Sequence, residues 1–387
     1  MKNRFNRRLA AAVLSLMFAA SCGSSTAKTA ASTSPPADAT PAGTTPATTG
    51  TTENSASSGL PTAFVTDTPL TKKPAAGKKV GWLECTVPAC QIYGRGFKDA
   101  TKALGWDVVT IPLDQTGPAS AFQQAIDAKV DFIVSTAQSA PLITEQLAAA
   151  KAAGIPFFSL FSDDVPNPSV NNIYIQAGGA DFYTSQGSVL AKWVTKDSGG
   201  AGNVVYVNIR DLKILNYAEK GLGDTLKADC KGCSFDVLPV TFADLGGGKV
   251  PQLVASYLQK NPKTNYVLFA FSDLVRGVSD TLKSAGLDAK VKLGGTIADG
   301  QNTKAIADGV EAGWTAQAVD YMSWLAVDAM ARYSVGMPLD KTYLDALSVV
   351  PTFVITKDTA SQLLKDSDGL WTGPAGFREH LTKLWGV

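Results

Sequence analysis

Four of the chain's five cysteines form two close pairs, which are its most obvious candidates for side-chain chemistry. Cys85 lies near Cys90, and Cys230 lies near Cys233 in a Cys-Lys-Gly-Cys segment. Spacings this short favour local disulfides in an oxidising compartment. Zinc binding by the four thiolates and redox chemistry at the second pair remain alternatives. We expect structural disulfides in both pairs.

The fifth cysteine, Cys22, follows a leader that is typical of exported proteins. A basic start precedes a short apolar core over residues 9–20, which has the proportions of a signal peptide. Ala19-Ala20-Ser21 then leads into Cys22 and resembles a bacterial lipobox, although Ala19 replaces the usual leucine. We expect a signal peptide over residues 1–21 and lipid attachment at Cys22, which would anchor the protein to the extracytoplasmic face of the cell membrane. Secretion without an anchor is the alternative.

Residues suited to catalysis or metal binding are sparse. His380 is the only histidine. We find no Gly-x-Ser-x-Gly elbow and no cluster with metal-ligand spacing. We therefore expect a protein that is not an enzyme and uses no cofactor and no metal.

The composition is that of a globular protein without a strong electric field. Hydrophobic residues make up 45%, charged residues 18%, and the formal net charge is +1. A nucleic-acid-binding protein would normally carry a basic stripe with interleaved aromatic residues, and none is evident. We therefore expect no nucleic-acid partner.

Residues 22–77 differ in composition from the rest of the chain. Serine, threonine, alanine, proline and glycine dominate, with hardly an apolar anchor before Phe64. Such a segment cannot bury enough apolar surface to fold alone. We predict a flexible tether with an end-to-end distance of about 40 Å.

Apolar strands and amphipathic helices alternate from residue 78 onward. A strand over residues 80–85 precedes a helix over residues 92–104 that ends at Gly105. The same rhythm restarts with a long helix at about residues 181–195. Short connections between strands and helices predict parallel sheets covered on both faces. We predict an α/β fold with two doubly wound lobes that face each other across a cleft.

Six short motifs occur in a fixed order along this part of the chain. They are Tyr93-Gly94-Arg95-Gly96-Phe97-Lys98-Asp99-Ala100, Ala153-Gly154-Ile155-Pro156, Glu219-Lys220-Gly221-Leu222-Gly223, Phe269-Ala270-Phe271-Ser272-Asp273, Ala298-Asp299-Gly300 and Thr315-Ala316-Gln317. In order and spacing they resemble the ribose- and galactose-binding protein family, the type I substrate-binding proteins of bacterial import systems. The resemblance extends from Lys78 to about Lys357.

The resemblance implies a periplasmic binding protein type I fold, with two parallel-sheet lobes joined by a three-stranded hinge. Residues 78–179 and 319–348 would form lobe 1, and residues 180–318 and 349–387 would form lobe 2. The implied function is the solute-binding subunit of an ABC importer, which captures a sugar, polyol or related neutral molecule by hinge closure. We expect a monomer that delivers its ligand to a membrane permease. A sensor that presents the ligand to an envelope receptor is the alternative.

The family's ligand contacts map onto positions near strand ends and on the first helix. The candidates are Gln91, Tyr93, Ser135, Phe161, Asp163, Asp164, Asn216, Ser272, Asp273, Asp299 and Gln317. The aromatic candidates could instead be core residues, and the aspartates could be turn or cap residues. The chain also departs from the family, because Ser272 replaces an asparagine and the helix after Asn216 lacks an early arginine. A polyol, a modified sugar or a less polar molecule is therefore an alternative to a simple aldose.

Overall fold

The computed structural model describes residues 60–86, 88–114, 116–348 and 350–387. The predicted signal peptide, Cys22 and the tether as far as residue 59 lie outside the described residues. Within the described part of the chain, no helix is both long enough and apolar enough to cross a membrane.

The first sheet contains five parallel strands. They are β1 (Lys79–Cys85), β2 (Asp107–Leu113), β3 (Phe132–Thr136), β4 (Phe157–Leu160) and β5 (Ile173–Ala177). Their order in the sheet is β2-β1-β3-β4-β5. Every residue of β3 and β4 is buried, as expected for parallel strands covered on both faces. The helices that alternate with these strands are α1 (Pro88–Ala103), α2 (Ala119–Asp127), α3 (Thr144–Ala152) and α4 (Pro168–Asn171).

The second sheet contains six strands. They are β6 (Asn203–Asn208), β7 (Ser234–Pro239), β8 (Tyr266–Phe269), β9 (Lys292–Gly295), β10 (Gly313–Thr315) and β11 (Val354–Ile355). Their order is β11-β10-β9-β8-β6-β7, and only the β10–β11 pair is antiparallel. The helices of this part are α5 (Ala180–Asp197), α6 (Leu215–Asp229), α7 (Phe242–Gly246), α8 (Val250–Lys260), α9 (Val278–Ser284) and α10 (Gly300–Ala307). The two sheets, which are parallel apart from the β10–β11 pair, confirm the predicted α/β fold class.

Helices α5 and α6 approach each other at two glycines. A Cβ atom on Gly187 would overlap the carbonyl oxygen of Ala218, and one on Gly221 would overlap the carbonyl oxygen of Thr184. Neither overlap could be relieved by turning a side chain, because the opposing atoms belong to the backbone. The two glycines therefore set the distance between these helices.

Three segments of the described chain pass between the two sheets. The first is the Gly178-Gly179 connection between β5 and α5, and the second comprises residues 316–318 after β10. The third enters β11 through residues 350–353 and pairs with the second, since Ala316 N donates to Phe353 O at 2.8 Å. These crossings form the hinge that the resemblance implied.

Four helices complete the described chain. They are α11 (Val319–Ser334), α12 (Lys341–Ser348), α13 (Lys357–Asp366) and α14 (Phe377–Trp385). α11 packs against α1, and α13 packs against α10. The sequence interpretation put all of residues 349–387 in lobe 2, but α14 packs on α11, where Trp385 stacks on Trp324 with ring centroids 5.3 Å apart. Because α11 itself contacts β4 and β5, this stacking places α14 on the side of the first sheet.

A buried polar network holds this helical layer together. Asp328 accepts hydrogen bonds from Arg332 Nε at 2.7 Å, Tyr343 Oη at 2.7 Å and Trp385 Nε1 at 2.8 Å. Arg332 Nη2 also donates to the carbonyl oxygen of Thr68 at 2.7 Å. One carboxylate thus ties α11 to α12 and α14, and its arginine partner holds a segment from the start of the described chain.

That segment, residues 60–77, is here called the N-terminal strap. Val65 N donates to Tyr321 Oη at 2.6 Å, and Leu70 N donates to the carbonyl oxygen of Leu384 at 2.8 Å. Phe64 stacks on His380 with centroids 4.1 Å apart. The predicted tether therefore extends too far, because apolar side chains and backbone hydrogen bonds hold its last part against α11 and α14.

Both predicted cysteine pairs are disulfides. Cys85 and Cys90 link the end of β1 to α1 with Cα atoms 5.8 Å apart. Cys230 and Cys233 bridge the turn between α6 and β7 with Cα atoms 5.3 Å apart. Among the described residues, no group of three or more histidine, cysteine or acidic side chains could hold a metal ion.

Candidate functional site

A cavity of about 70 Å³ lies in the cleft between the two sheets. The first wall follows the carboxyl ends of β1, β3 and β4, together with α1. Its lining residues are Cys85, Cys90, Tyr93, Thr136, Ala137 and Phe161. The second wall comes from the start of α5 and from loops after β6, β7, β8 and β9. Its lining residues are Tyr183, Leu212, Ile214, Leu215, Phe242, Phe271 and Ile297. In sheets of this type, ligands bind outside the carboxyl ends of the strands, where this cavity lies.

The lining of the cavity is almost entirely apolar. None of its side chains carries a charge, and only Tyr93, Thr136 and Tyr183 carry hydroxyl groups. The Phe161 ring lies 4.6 Å from the Tyr93 ring and 6.3 Å from the Tyr183 ring, measured between centroids. These tilted and edge-to-face contacts are favourable arrangements for aromatic rings. The site therefore offers aromatic faces to a ligand and few hydrogen-bonding groups.

The two phenol groups are tied to the hinge. Tyr93 Oη donates a hydrogen bond to Gln317 Oε1, and Gln317 belongs to the second crossing segment. Burial raises the pKa of Tyr93 well above its usual range. Burial also raises the pKa of Tyr183, and the nearby Gln317 side chain offsets part of that effect. Both hydroxyl groups therefore stay neutral and keep their protons over the physiological pH range.

Three residues at the cavity have left-handed backbone conformations. The φ angles of Ala137, Phe161 and Ile297 are 57°, 58° and 58°. This region is unfavourable for residues other than glycine, and especially for a β-branched side chain such as that of Ile297. The backbone holds two of them, since Ala137 N donates to Leu160 O at 2.8 Å and Phe161 N donates to Ala177 O at 2.9 Å. Strained residues of this kind concentrate at functional sites.

The candidates from the first sheet and hinge lie at different distances from the cavity. Tyr93 and Phe161 line it, and Gln317 binds Tyr93. Gln91 is exposed on α1, while Ser135 is buried in β3. The hydroxyl of Ser135 finds no hydrogen-bond partner in the described structure.

The acidic candidates of the first lobe lie in the loop after β4. Asp163 and Asp164 are half-buried and do not line the cavity. Asp164 Oδ2 accepts a hydrogen bond from Ala140 N at 2.8 Å. Burial raises the pKa of Asp164, and the bond from Ala140 opposes that effect. This carboxylate therefore connects two loops at the edge of the cleft.

The second-lobe candidates lie outside the cavity lining. Asn216 Oδ1 accepts from Asn208 Nδ2 at 3.1 Å. Ser272 is buried, and Asp273 is half-buried. Asp299 caps α10, accepting hydrogen bonds from the backbone at Gln301 and Asn302, and forms an ion pair with Arg276. Asp299 thus makes local structural contacts of the kind expected of a helix cap.

Most cavity-lining residues that were not predicted from the sequence are apolar and lie near a predicted residue in the chain. Thr136 and Ala137 follow Ser135, Phe271 precedes Ser272, and Ile297 lies two residues before Asp299. Consecutive residues at a strand end point to opposite sides, so a shift of one position changes which side chain faces the cleft. The sequence signal that could have identified these cavity residues is an apolar residue directly after a buried strand.

Glu311, close to the Asp299 cap, gives the second lobe a pH-dependent stability. Its carboxylate accepts a hydrogen bond from Asn302 Nδ2 at 3.0 Å. Burial raises its pKa from an ordinary 4.5 to about 7, although Asn302, Trp314 and Arg276 oppose the shift. Between these pH values the folded state holds a proton that the unfolded chain releases, so this group lowers stability as pH rises.

Replacing Glu311 with glutamine is therefore expected to stabilise the protein at pH 8 by an amount on the order of 2 kcal/mol. At pH 5 the expected difference is much smaller, because the native carboxyl group is protonated there. Urea unfolding of both proteins at the two pH values measures this. Equal stabilisation at pH 5 and pH 8 would show that the gain does not come from the proton on Glu311.

The sequence of residues 88–337 matches the family model described as a periplasmic binding protein domain. That match spans α1 to α11 and includes every residue of the cavity lining except Cys85. Among curated protein sequences, none matches this chain.

Several solved structures share this fold. An ABC transporter periplasmic solute binding protein from Actinobacillus succinogenes 130z, with bound D-allose, has 17% identity and a TM-score of 0.63 over 74% of this chain and 99% of its own. A solute binding protein from Mycobacterium smegmatis, with bound glycerol, has 19% identity and a TM-score of 0.63 over 74% and 97%. A carbohydrate transporter protein from Acidothermus cellulolyticus 11B, in complex with myo-inositol, has 20% identity and a TM-score of 0.60 over 76% and 98%.

Proposed function

The chain belongs to the periplasmic binding protein family, and we propose that it is the extracytoplasmic solute-binding subunit of an ABC-type importer. The observation that carries the proposal is the cleft cavity, which both sheets line at the carboxyl ends of their strands. The uncharged lining supports a small neutral ligand. The sugars and polyols bound by proteins of the same fold support a sugar, a polyol or a related molecule.

Ligand capture would proceed by closure of the two lobes about the three crossing segments. A ligand that contacts both walls stabilises the closed arrangement over open ones. Tyr93 would couple the ligand to the hinge, because it lines the cavity and binds Gln317. The closed form would then be recognised by the membrane permease.

Measurement of solute uptake after deletion of the gene tests the importer role. Deleting the gene is expected to abolish uptake of one neutral solute, and reintroducing the wild-type gene should restore it. If the parent strain expresses the folded protein and the deletion strain still takes up every neutral solute at the full rate, the importer role is wrong. If purified protein still bound one of those solutes, the result would favour the sensor.

The lipid anchor is part of the proposal and is supported by the leader and by the lipobox-like residues before Cys22. In the proposed arrangement, lipid, tether and cleft keep a monomeric trap close to its permease. We propose no enzymatic activity, since the lining carries no carboxylate, histidine, lysine or free thiol.

Replacing Cys22 with serine is expected to move the protein from the membrane fraction to the soluble fraction, because no thiol remains for lipid attachment. Solute affinity should not change, since the cleft residues are untouched. Cell fractionation followed by titration of the released protein measures both. Retention of the variant in the membrane fraction would mean that another part of the chain anchors it.

A further inference from the structure

We propose that the cleft selects a neutral ligand with an apolar ring and few hydroxyl groups, such as a monohydroxylated alicyclic or aromatic compound, over a fully hydroxylated sugar or cyclitol. This inference rests on the proposed solute-binding function and specifies the class of solute. It depends on the side chains that line the cavity between the two sheets.

The second wall provides the first argument. Every residue that it contributes is aliphatic or aromatic, and Tyr183 carries its only hydroxyl group. Leu212, Ile214 and Leu215 come from one continuous segment after β6, while Phe242 and Phe271 come from the next loops. A polyhydroxylated ring would place several hydroxyl groups against this surface without hydrogen-bond partners. Each buried hydroxyl without a partner lowers affinity by about tenfold.

The positions of the carboxylates provide the second argument. Asp163, Asp164, Asp273 and Asp299 do not line the cavity. Asp164 and Asp299 are also engaged, by the backbone of Ala140 and by the cap of α10. The lining therefore has no carboxylate that could bind two neighbouring hydroxyl groups of a ligand.

The polar groups that do reach the cavity would suit a single ligand hydroxyl. Thr136 and Tyr93 lie on the first wall and Tyr183 on the second, and Gln317 bonds Tyr93 behind the cavity surface. The aromatic faces of Tyr93, Phe161 and Tyr183 surround the same space. A few hydroxyl groups in an otherwise apolar enclosure match a ring that carries one hydroxyl group.

Cyclohexanol and myo-inositol are a matched pair of probes, because both are six-membered carbocycles that differ in their number of hydroxyl groups. Isothermal titration of the purified full-length protein is expected to give cyclohexanol an affinity at least about tenfold higher than that of myo-inositol. D-ribose serves as a second polyhydroxylated probe. Binding of myo-inositol or D-ribose as tightly as cyclohexanol would overturn this inference and leave the proposed function intact.

The variants Phe242→Gln and Phe235→Gln test whether cyclohexanol binds in the cleft cavity. Both phenylalanines are half-buried: Phe235 lies at the start of β7, and Phe242 lies just after the end of that strand. Only Phe242 lines the cavity, whereas Phe235 borders a separate groove with Glu219 and Lys227. We expect the first variant to weaken cyclohexanol binding several-fold, because it removes an aromatic face from the cleft, and the second to leave it unchanged.

Equal effects of the two variants would place the binding elsewhere and overturn the inference. Thermal unfolding of each variant establishes that it is folded. If folded wild-type protein bound neither the probes nor any member of a wider panel of neutral solutes, both this inference and the proposed function would be wrong.

Discussion

Replacing Asp328 with alanine is expected to lower the free energy of unfolding by about 3–5 kcal/mol, because it leaves the buried Arg332 guanidinium without its carboxylate. The relative exposures of the Arg332 and Asp328 side chains are 4% and 0%. The same change leaves the hydroxyl of Tyr343 and the indole N–H of Trp385 without their acceptor. Buried polar groups without partners add to the loss.

Asp345→Ala is the matched control. Asp345 also pairs with a basic residue at helical spacing, but the relative exposures of Lys341 and Asp345 are 87% and 63%. Exposed ion pairs contribute little to stability, so this variant should unfold at the wild-type denaturant concentration. Urea denaturation of the three proteins measures the difference. Similar midpoints for Asp328→Ala and wild type would show that the network does not hold this layer together.

Replacing Gly187 with alanine is expected to destabilise the protein by about 2 kcal/mol or more, because the new methyl group would overlap the backbone of α6. Alanine favours a helix over glycine by about 1 kcal/mol, so a net loss requires the steric effect to dominate. The opposing atoms are the carbonyl oxygen of Ala218 and the amide of Leu222, which cannot move without moving the helix.

This packing also positions the cleft. α5 carries Tyr183 and α6 begins at Leu215, and both residues line the cavity. Gly187→Ala should therefore lower ligand affinity as well as stability. Gly246→Ala is the control, because Gly246 lies in a helix and a Cβ atom there would meet nothing within 4 Å. Calorimetric unfolding and ligand titration measure both effects. A variant more stable than wild type would contradict the proposed backbone contact.

Much of the fold could be predicted from the sequence because strand and helix patterns are local. The predicted strand over residues 80–85 matches β1 within one residue at each end, and the predicted helix at about residues 181–195 matches α5 within two residues at each end. The N-terminal strap was missed because Phe64 and Leu70 are isolated apolar residues in a polar segment. Their partners, His380 and Leu384, lie at the far end of the sequence.

The candidate site was less predictable than the fold. The side chains that face the cleft depend on the backbone after each strand, and the left-handed conformations of Phe161 and Ile297 are not evident from residue type. Polar residues were preferred as ligand contacts, which selected Asp299, although its carboxylate caps α10. Tyr93 was easier to predict, because it lies on a helix that carries a family motif.

The central claim is that a neutral solute binds in the cleft between the two sheets. Thr136 lines the cavity at the end of β3, and a tyrosine there would fill the space that a ligand needs. Isothermal titration should show one solute bound per wild-type chain and no detectable binding to folded Thr136→Tyr protein. Unchanged affinity in the folded variant would contradict the claim.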